Sequence, residues 1–230
     1  MTVSEKTVSI PIGRERIEGT LCLPEEAIGL VLFAHGSGSS RFSTRNRHVA
    51  SVLEQSGLAT LLIDLLTEEE ERADSSSGLL RFDIQLLARR VEAATAWLQG
   101  EESVEGLALG YFGASTGAAA AIVADSKRPE PVAAIVSRGG RPDLAGPALA
   151  RVRAPTLLIV GGLDAVVLEL NREALVELAG EKRLEIVPGA THLFEEAGAL
   201  DTVARLAGDW FVNHFSASNP RSWARNKTPD

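Results

Sequence analysis

Cysteine is all but missing: Cys22 is the only one in 230 residues. One thiol can neither close an internal disulfide nor build a multi-cysteine metal site, and its apolar run Gly19-Thr20-Leu21-Cys22-Leu23 marks it as a buried structural thiol. Histidine is scarce too. The four histidines are scattered, with no His-x-x-x-His or His-x-Glu spacing, so no metal and no cofactor is expected. No apolar run reaches the length of a membrane span, and Met1 to Lys6 lacks the apolar centre of a signal peptide. No membrane association is therefore expected, and the cytoplasm is the expected location. Positive charge is in deficit, 23 Lys and Arg against 31 Asp and Glu, and the resulting net charge of -8 argues against nucleic acid as a partner.

What is present is a chain long enough for one α/β domain and too short for two. We expect that domain over residues 1–215 and a polar tail over 216–230, where Pro220 and Pro229 interrupt a stretch with no apolar period. Within the tail, Trp223 could dock on a neighbour, and a homodimer is compatible with the composition. Val8 to Ile12 and Ile17 to Leu23 alternate around Gly13-Arg14-Glu15, which predicts an N-terminal β-hairpin. Short continuous apolar runs follow at 29–34, 59–63, 107–112, 132–136, 155–160 and 184–187, as expected for strands covered on both faces. Helical spacing separates them: 45–56, a long amphipathic helix over 79–98, an Ala-rich segment to about Ala124, 168–178 and 200–214. The acidic stretch from Glu68 to Gly78 reads as a solvated loop. Strands alternating with helices specify a mostly parallel twisted sheet with helices on both faces, whose ligands bind beyond the carboxyl ends of the strands.

Chemistry concentrates at those ends. Gly113-Ala114-Ser115-Thr116-Gly117 lies between an apolar strand and an Ala-rich helix, so the serine occupies a corner too sharp for side chains on its flanking glycines. A serine hydroxyl needs a base, and the base needs a group that fixes its tautomer. His192, after Pro188-Gly189-Ala190-Thr191, is the expected base, and Asp164, after Gly161-Gly162-Leu163, the expected third member. Asp164 could instead cap the helix that follows it, and Asp64, Asp143, Glu195 and Glu196 are alternative carboxylates. The oxyanion would be met by the backbone N–H groups of Thr116 and Ser37. Gly36 and Gly38 let backbone approach a substrate, and His35 braces that loop. A dinucleotide fingerprint is excluded there because Arg41 stands where its third glycine belongs. Arg41, Arg45, Arg138 and Arg141 follow strand ends on the same face; among them Arg41, Arg138 and Arg141 are expected to attract an anionic group of the substrate.

These motifs, His35-Gly36-Ser37-Gly38-Ser39-Ser40, Gly113-Ala114-Ser115-Thr116-Gly117, Gly161-Gly162-Leu163-Asp164 and Gly189-Ala190-Thr191-His192, resemble the α/β-hydrolase superfamily. They are most similar to its small dienelactone hydrolase-like members, which have no large cap domain, over roughly residues 5 to 215. Dienelactone hydrolases proper carry a cysteine nucleophile, whereas this elbow holds Ser115. The resemblance therefore implies a serine esterase acting on a small carboxylic ester or lactone. The same triad would also serve a thioesterase or peptidase, and a non-catalytic binding module is the remaining alternative.

Overall fold

The computed structural model describes residues 3–218. β1 (Val3–Ile12) and β2 (Glu15–Pro24) form the antiparallel hairpin, turning at Gly13 and Arg14 with Ile12 opposite Glu15. Gly13 has φ of +78°, a conformation that glycine adopts without steric penalty. Next come β3 (Leu30–Ala34), α1 (Thr44–Gln55), β4 (Ala59–Ile63), α2 (Glu68–Ser77), α3 (Ile84–Gln99), β5 (Leu109–Ala114) and α4 (Thr116–Ser126). The chain continues through β6 (Ala134–Arg138), a kinked 3-10 segment over Pro142–Arg151, β7 (Thr156–Gly161), α5 (Ala165–Glu177), β8 (Lys182–Val187) and α6 (Ala199–Ser218).

All eight strands join one sheet in the order β1-β2-β4-β3-β5-β6-β7-β8. β2 runs antiparallel to β4, and every pairing from β4 through β8 is parallel. Every residue of β3, β4, β6 and β7 is buried, which is why those strands are mostly apolar rather than alternating. One face packs on α3 and α4, the other on α1 and α6. α4 sits deepest. Its alanines, Ala118 to Ala121, are fully buried, and their small side chains let the helix lie close on the strands beneath it.

Three expectations need correction. Glu68–Ser77 is helical, although no stripe of its surface is apolar. Its nucleus is a capping box: Thr67 Oγ1 accepts the Glu70 N–H at 3.1 Å while Glu70 accepts the Thr67 N–H at 2.8 Å. The long helix expected over 79–98 is divided, because Asp83 caps α3 by accepting the Leu86 N–H and leaves Leu80–Phe82 as a separate 3-10 turn. At the other end, α6 continues to Ser218, so the boundary expected at residue 215 falls inside a helix whose Phe211 and Phe215 are buried. Residues 219–230, with Trp223, lie outside the described residues. Among the described residues no helix is long and apolar enough to cross a membrane.

Candidate active site

β5 delivers Ser115 to its carboxyl end with φ 49° and ψ -120°, a backbone conformation that side-chain-bearing residues rarely adopt. The chain around it is pinned. Ser115 N–H donates to the Arg138 carbonyl at 3.3 Å, and the Ser115 carbonyl accepts Ala118 N–H at 3.1 Å and Arg141 N–H at 3.0 Å. A Cβ on Gly113 would stand 2.3 Å from Ala118 Cα, and one on Gly117 would stand 2.2 Å from the Ala34 carbonyl oxygen. Both positions are closed to any larger residue. The strand-to-helix corner has the geometry of a nucleophile elbow, with a helix N-terminus directly after Ser115.

The β3–α1 loop faces it. A Cβ on Gly36 would lie 3.0 Å from the Ser115 Cβ, so the loop and Ser115 are in contact. The loop turns by Ser39 N–H donating to Gly36 O at 3.2 Å, with Gly38 at φ +70°, which leaves the Ser37 N–H outside the turn. Thr116 is the first residue of α4, so its N–H has no intrahelical acceptor. His35 is buried and joins two loops: Nδ1–H donates to Gly36 O at 2.8 Å while Nε2 accepts the Leu65 N–H at 3.1 Å. Burial pulls its pKa below the ordinary imidazole value, in keeping with a neutral ring bonded through both nitrogens.

On the other side, Asp164 and His192 meet. His192 Nδ1 lies 2.6 Å from Asp164 Oδ2, with the carboxylate mostly enclosed and the imidazole partly open. A carboxylate only accepts, so Nδ1 carries the proton of the neutral ring and Nε2 keeps a free lone pair. Asp164 precedes α5 yet makes no side-chain cap bond there, so its carboxylate serves the imidazole rather than the helix. The loop is held by Phe194, buried at φ +56°, and by Thr191 Oγ1 donating to Glu196 at 2.6 Å. Ser115 Oγ makes no hydrogen bond among the described residues, and on the neighbouring strand end His192 Cε1 would lie 3.6 Å from a Cβ on Gly139, the residue after Arg138.

The arginines behave differently from expectation. Arg138 is buried, 6% exposed, because β6 runs two residues further than its apolar stretch. Arg41 is ion-paired with Asp64, and its main-chain N–H donates to the same carboxylate at 2.8 Å. Arg141 makes a two-pronged bond to Asp143 at 2.9 and 2.8 Å, which raises its pKa. Arg45 bonds Glu195 at 3.1 Å.

Sequence reasoning missed a cavity of about 500 Å³ beside the 36–43 loop, closed on its far side by Leu66, Glu71, Asp74 and Arg81. Enclosure raises the Asp74 pKa, but bonds from the Arg81 side chain and the Leu80 and Arg81 amides outweigh it and hold the carboxyl below its usual value. Partial burial and the nearby Asp64 push Glu71 upward. The sequence signal for this wall was the Thr67 to Glu70 box that starts α2.

No protein-family model matches the chain. A dienelactone hydrolase from Anabaena variabilis, known as a crystal structure, is 58% identical with a TM-score of 0.90, covering 92% of this chain and 98% of that one. Est1E from Butyrivibrio proteoclasticus shares the fold at a TM-score of 0.76 with 14% identity, over 91% of this chain and 99% of that one. A Mycobacterium tuberculosis protein described as a "Putative phosphoribosyl transferase" is 54% identical over 216 residues, 94% of this chain. The chain spans about half, 48%, of the length of that relative. Eight strands in this order, a serine at the elbow and the 58% identity to a structure covered almost end to end agree: the chain belongs to the dienelactone hydrolase-like branch of the α/β-hydrolase superfamily.

Proposed function

We propose that the chain is a serine hydrolase that cleaves a small carboxylic ester or lactone through an acyl-enzyme on Ser115. The observation that carries this reading is the 2.6 Å contact of Asp164 with His192 Nδ1, on the sheet edge where Ser115 is held in its rare conformation. A bonded Nδ1 leaves Nε2 as the proton acceptor, and catalytic hydrogen bonds to a nucleophile commonly tighten only with substrate in place. In the first half-reaction Ser115 Oγ attacks the acyl carbon while its proton passes to His192 Nε2. Thr116 and Ser37 N–H groups receive the oxyanion, and Asp164 steadies the imidazolium. His192 then protonates the leaving alkoxide. Water, deprotonated by the same nitrogen, releases the acid and restores the serine.

The cavity beside Ser37 and Gly36 is of a size for a small acyl or alkoxy group. The test is labelling with a fluorophosphonate probe, alongside hydrolysis of p-nitrophenyl acetate. Wild type should label and turn over, and Ser115→Ala should neither label nor retain more than about a thousandth of kcat. A Ser115→Ala enzyme with a normal rate refutes the assignment.

A further inference from the structure

Among the described residues, Arg138 is a buried cation without a counter-ion. None of the described carboxylates pairs with its guanidinium, its Nε is enclosed with no hydrogen-bond partner among the described residues, and the nearby charge of Arg45 opposes it. Burial, with Arg45, draws its pKa down to about 10, which still leaves it charged at neutral pH. Desolvating a lone charge is unfavourable, and an apolar side chain of similar volume usually stabilises such a position better. Stability does not account for an arginine here.

Its contacts do. Its main-chain carbonyl, as that of any residue there would, accepts the Ser115 N–H at 3.3 Å, and the side chain adds two further contacts. Nη2 donates at 2.9 Å to Oδ1 of Asn46, a buried residue in the first turn of α1, the helix that receives the oxyanion loop. The guanidinium carbon lies 5.9 Å from the ring centroid of Phe194, two residues beyond His192 in the strained part of its loop. One residue thus touches the nucleophile's strand end, the helix behind the oxyanion loop and the loop that carries the base. A planar, delocalised cation can donate in its plane and stack on a ring at once, which neither methionine nor lysine can do.

We propose that Arg138 is a positioning residue that sets the placement of the three catalytic segments relative to one another. The proposal rests on the hydrolase reading of Ser115 and His192. It is tested with Arg138→Met, Arg138→Lys and Asn46→Ala by melting temperature, kcat and KM for p-nitrophenyl acetate, and the rate of fluorophosphonate labelling. Arg138→Met should melt no lower than wild type and keep KM, while kcat and the labelling rate fall together by about 10- to 100-fold, the scale of a misplaced catalytic group. Arg138→Lys should lie between the two. Asn46→Ala should lower kcat by roughly 3- to 10-fold at unchanged KM and add nothing when combined with Arg138→Met, as coupled residues do.

Arg138→Met with kcat within about twofold of wild type overturns the proposal, as does a loss of kcat that only tracks a fall in melting temperature. If Arg138→Met does not fold, an unchanged kcat in Asn46→Ala overturns it equally. Wild type that fails to label, or a fully active Ser115→Ala, removes the hydrolase reading and this inference with it. Labelling and turnover that depend on Ser115, together with an undiminished Arg138→Met, remove the inference alone.

Discussion

Gly117→Ala adds one methyl group where the helix that follows Ser115 meets β3. That methyl would stand 2.2 Å from the Ala34 carbonyl oxygen and 2.5 Å from that of His35. Both obstacles are backbone, so no side chain can swing aside, and the shortfall from an ordinary contact is about 1 Å. Two effects compete. Alanine in place of glycine favours the helix by about 1 kcal/mol. Overpacking a closed site opposes it by about 1 to 3 kcal/mol, and more where backbone must move. Overpacking wins, and for a chain of this size the melting temperature should drop by up to roughly 10 °C.

The catalytic effect should be larger. The pushed atoms belong to the end of β3 and the start of the loop that carries Ser37, two residues before it, and on the proposed mechanism a displacement near 1 Å there is worth about 100-fold in rate. Thermal melts, with kcat for p-nitrophenyl acetate on protein counted by active-site labelling, separate the two effects. A variant that melts within about 1 °C of wild type and keeps more than half its kcat refutes the claim that these glycines are sterically closed.

Two further substitutions probe other parts of the fold. Asp125 is buried, accepting the Val132 N–H at 2.8 Å, and burial raises its carboxyl pKa above the usual range against the opposing pull of that bond, Arg128 and Arg153. A folded-state pKa above the unfolded value of about 3.9 means that the stability it confers is full below that value and is lost as pH climbs through the folded one. Asp125→Asn keeps the acceptor and sheds the charge, so its urea midpoint should gain on wild type between pH 4 and pH 7; a gap that does not change with pH contradicts this. Gly208 lies inside α6, and a Cβ there meets only Leu53 Cδ2, at 3.5 Å. Gly208→Ala should stabilise by about 0.5 to 1 kcal/mol in a urea titration, and a lowered midpoint would show that the α1–α6 contact is tighter than it looks.

Strand ends were the most legible part of this chain. Buried parallel strands are continuous apolar runs, and the residues just beyond them, Ser37, Ser115, Asp164 and His192, fall on one edge once the sheet is parallel. Other features hid for definite reasons. α2 exposes Glu68, Glu69, Glu71, Ser75, Ser76 and Ser77, so apolar periodicity is silent, and it stands on its cap and on the Asp74 carboxylate turned inward to Arg81. Arg138 looked like a loop cation because the apolar run stops at Val136. In the sheet, Ala114 pairs with Arg138, so the strand continues and its alternation carries the guanidinium inward. Arg41 and Arg141 depended on partners that no local pattern announces: Asp64 is 23 residues away, and Asp143 only two.

The twisted backbone at Ser115 has an evolutionary corollary. Conformations of this kind are unfavourable by roughly 1 to 3 kcal/mol and persist only where the surroundings enforce them. Selection for heat tolerance alone would drift toward glycine at that residue, relaxing the peptide and deleting the hydroxyl in a single step. A homologue with glycine there would therefore mark a lineage in which robustness had been favoured after the chemistry ceased to matter.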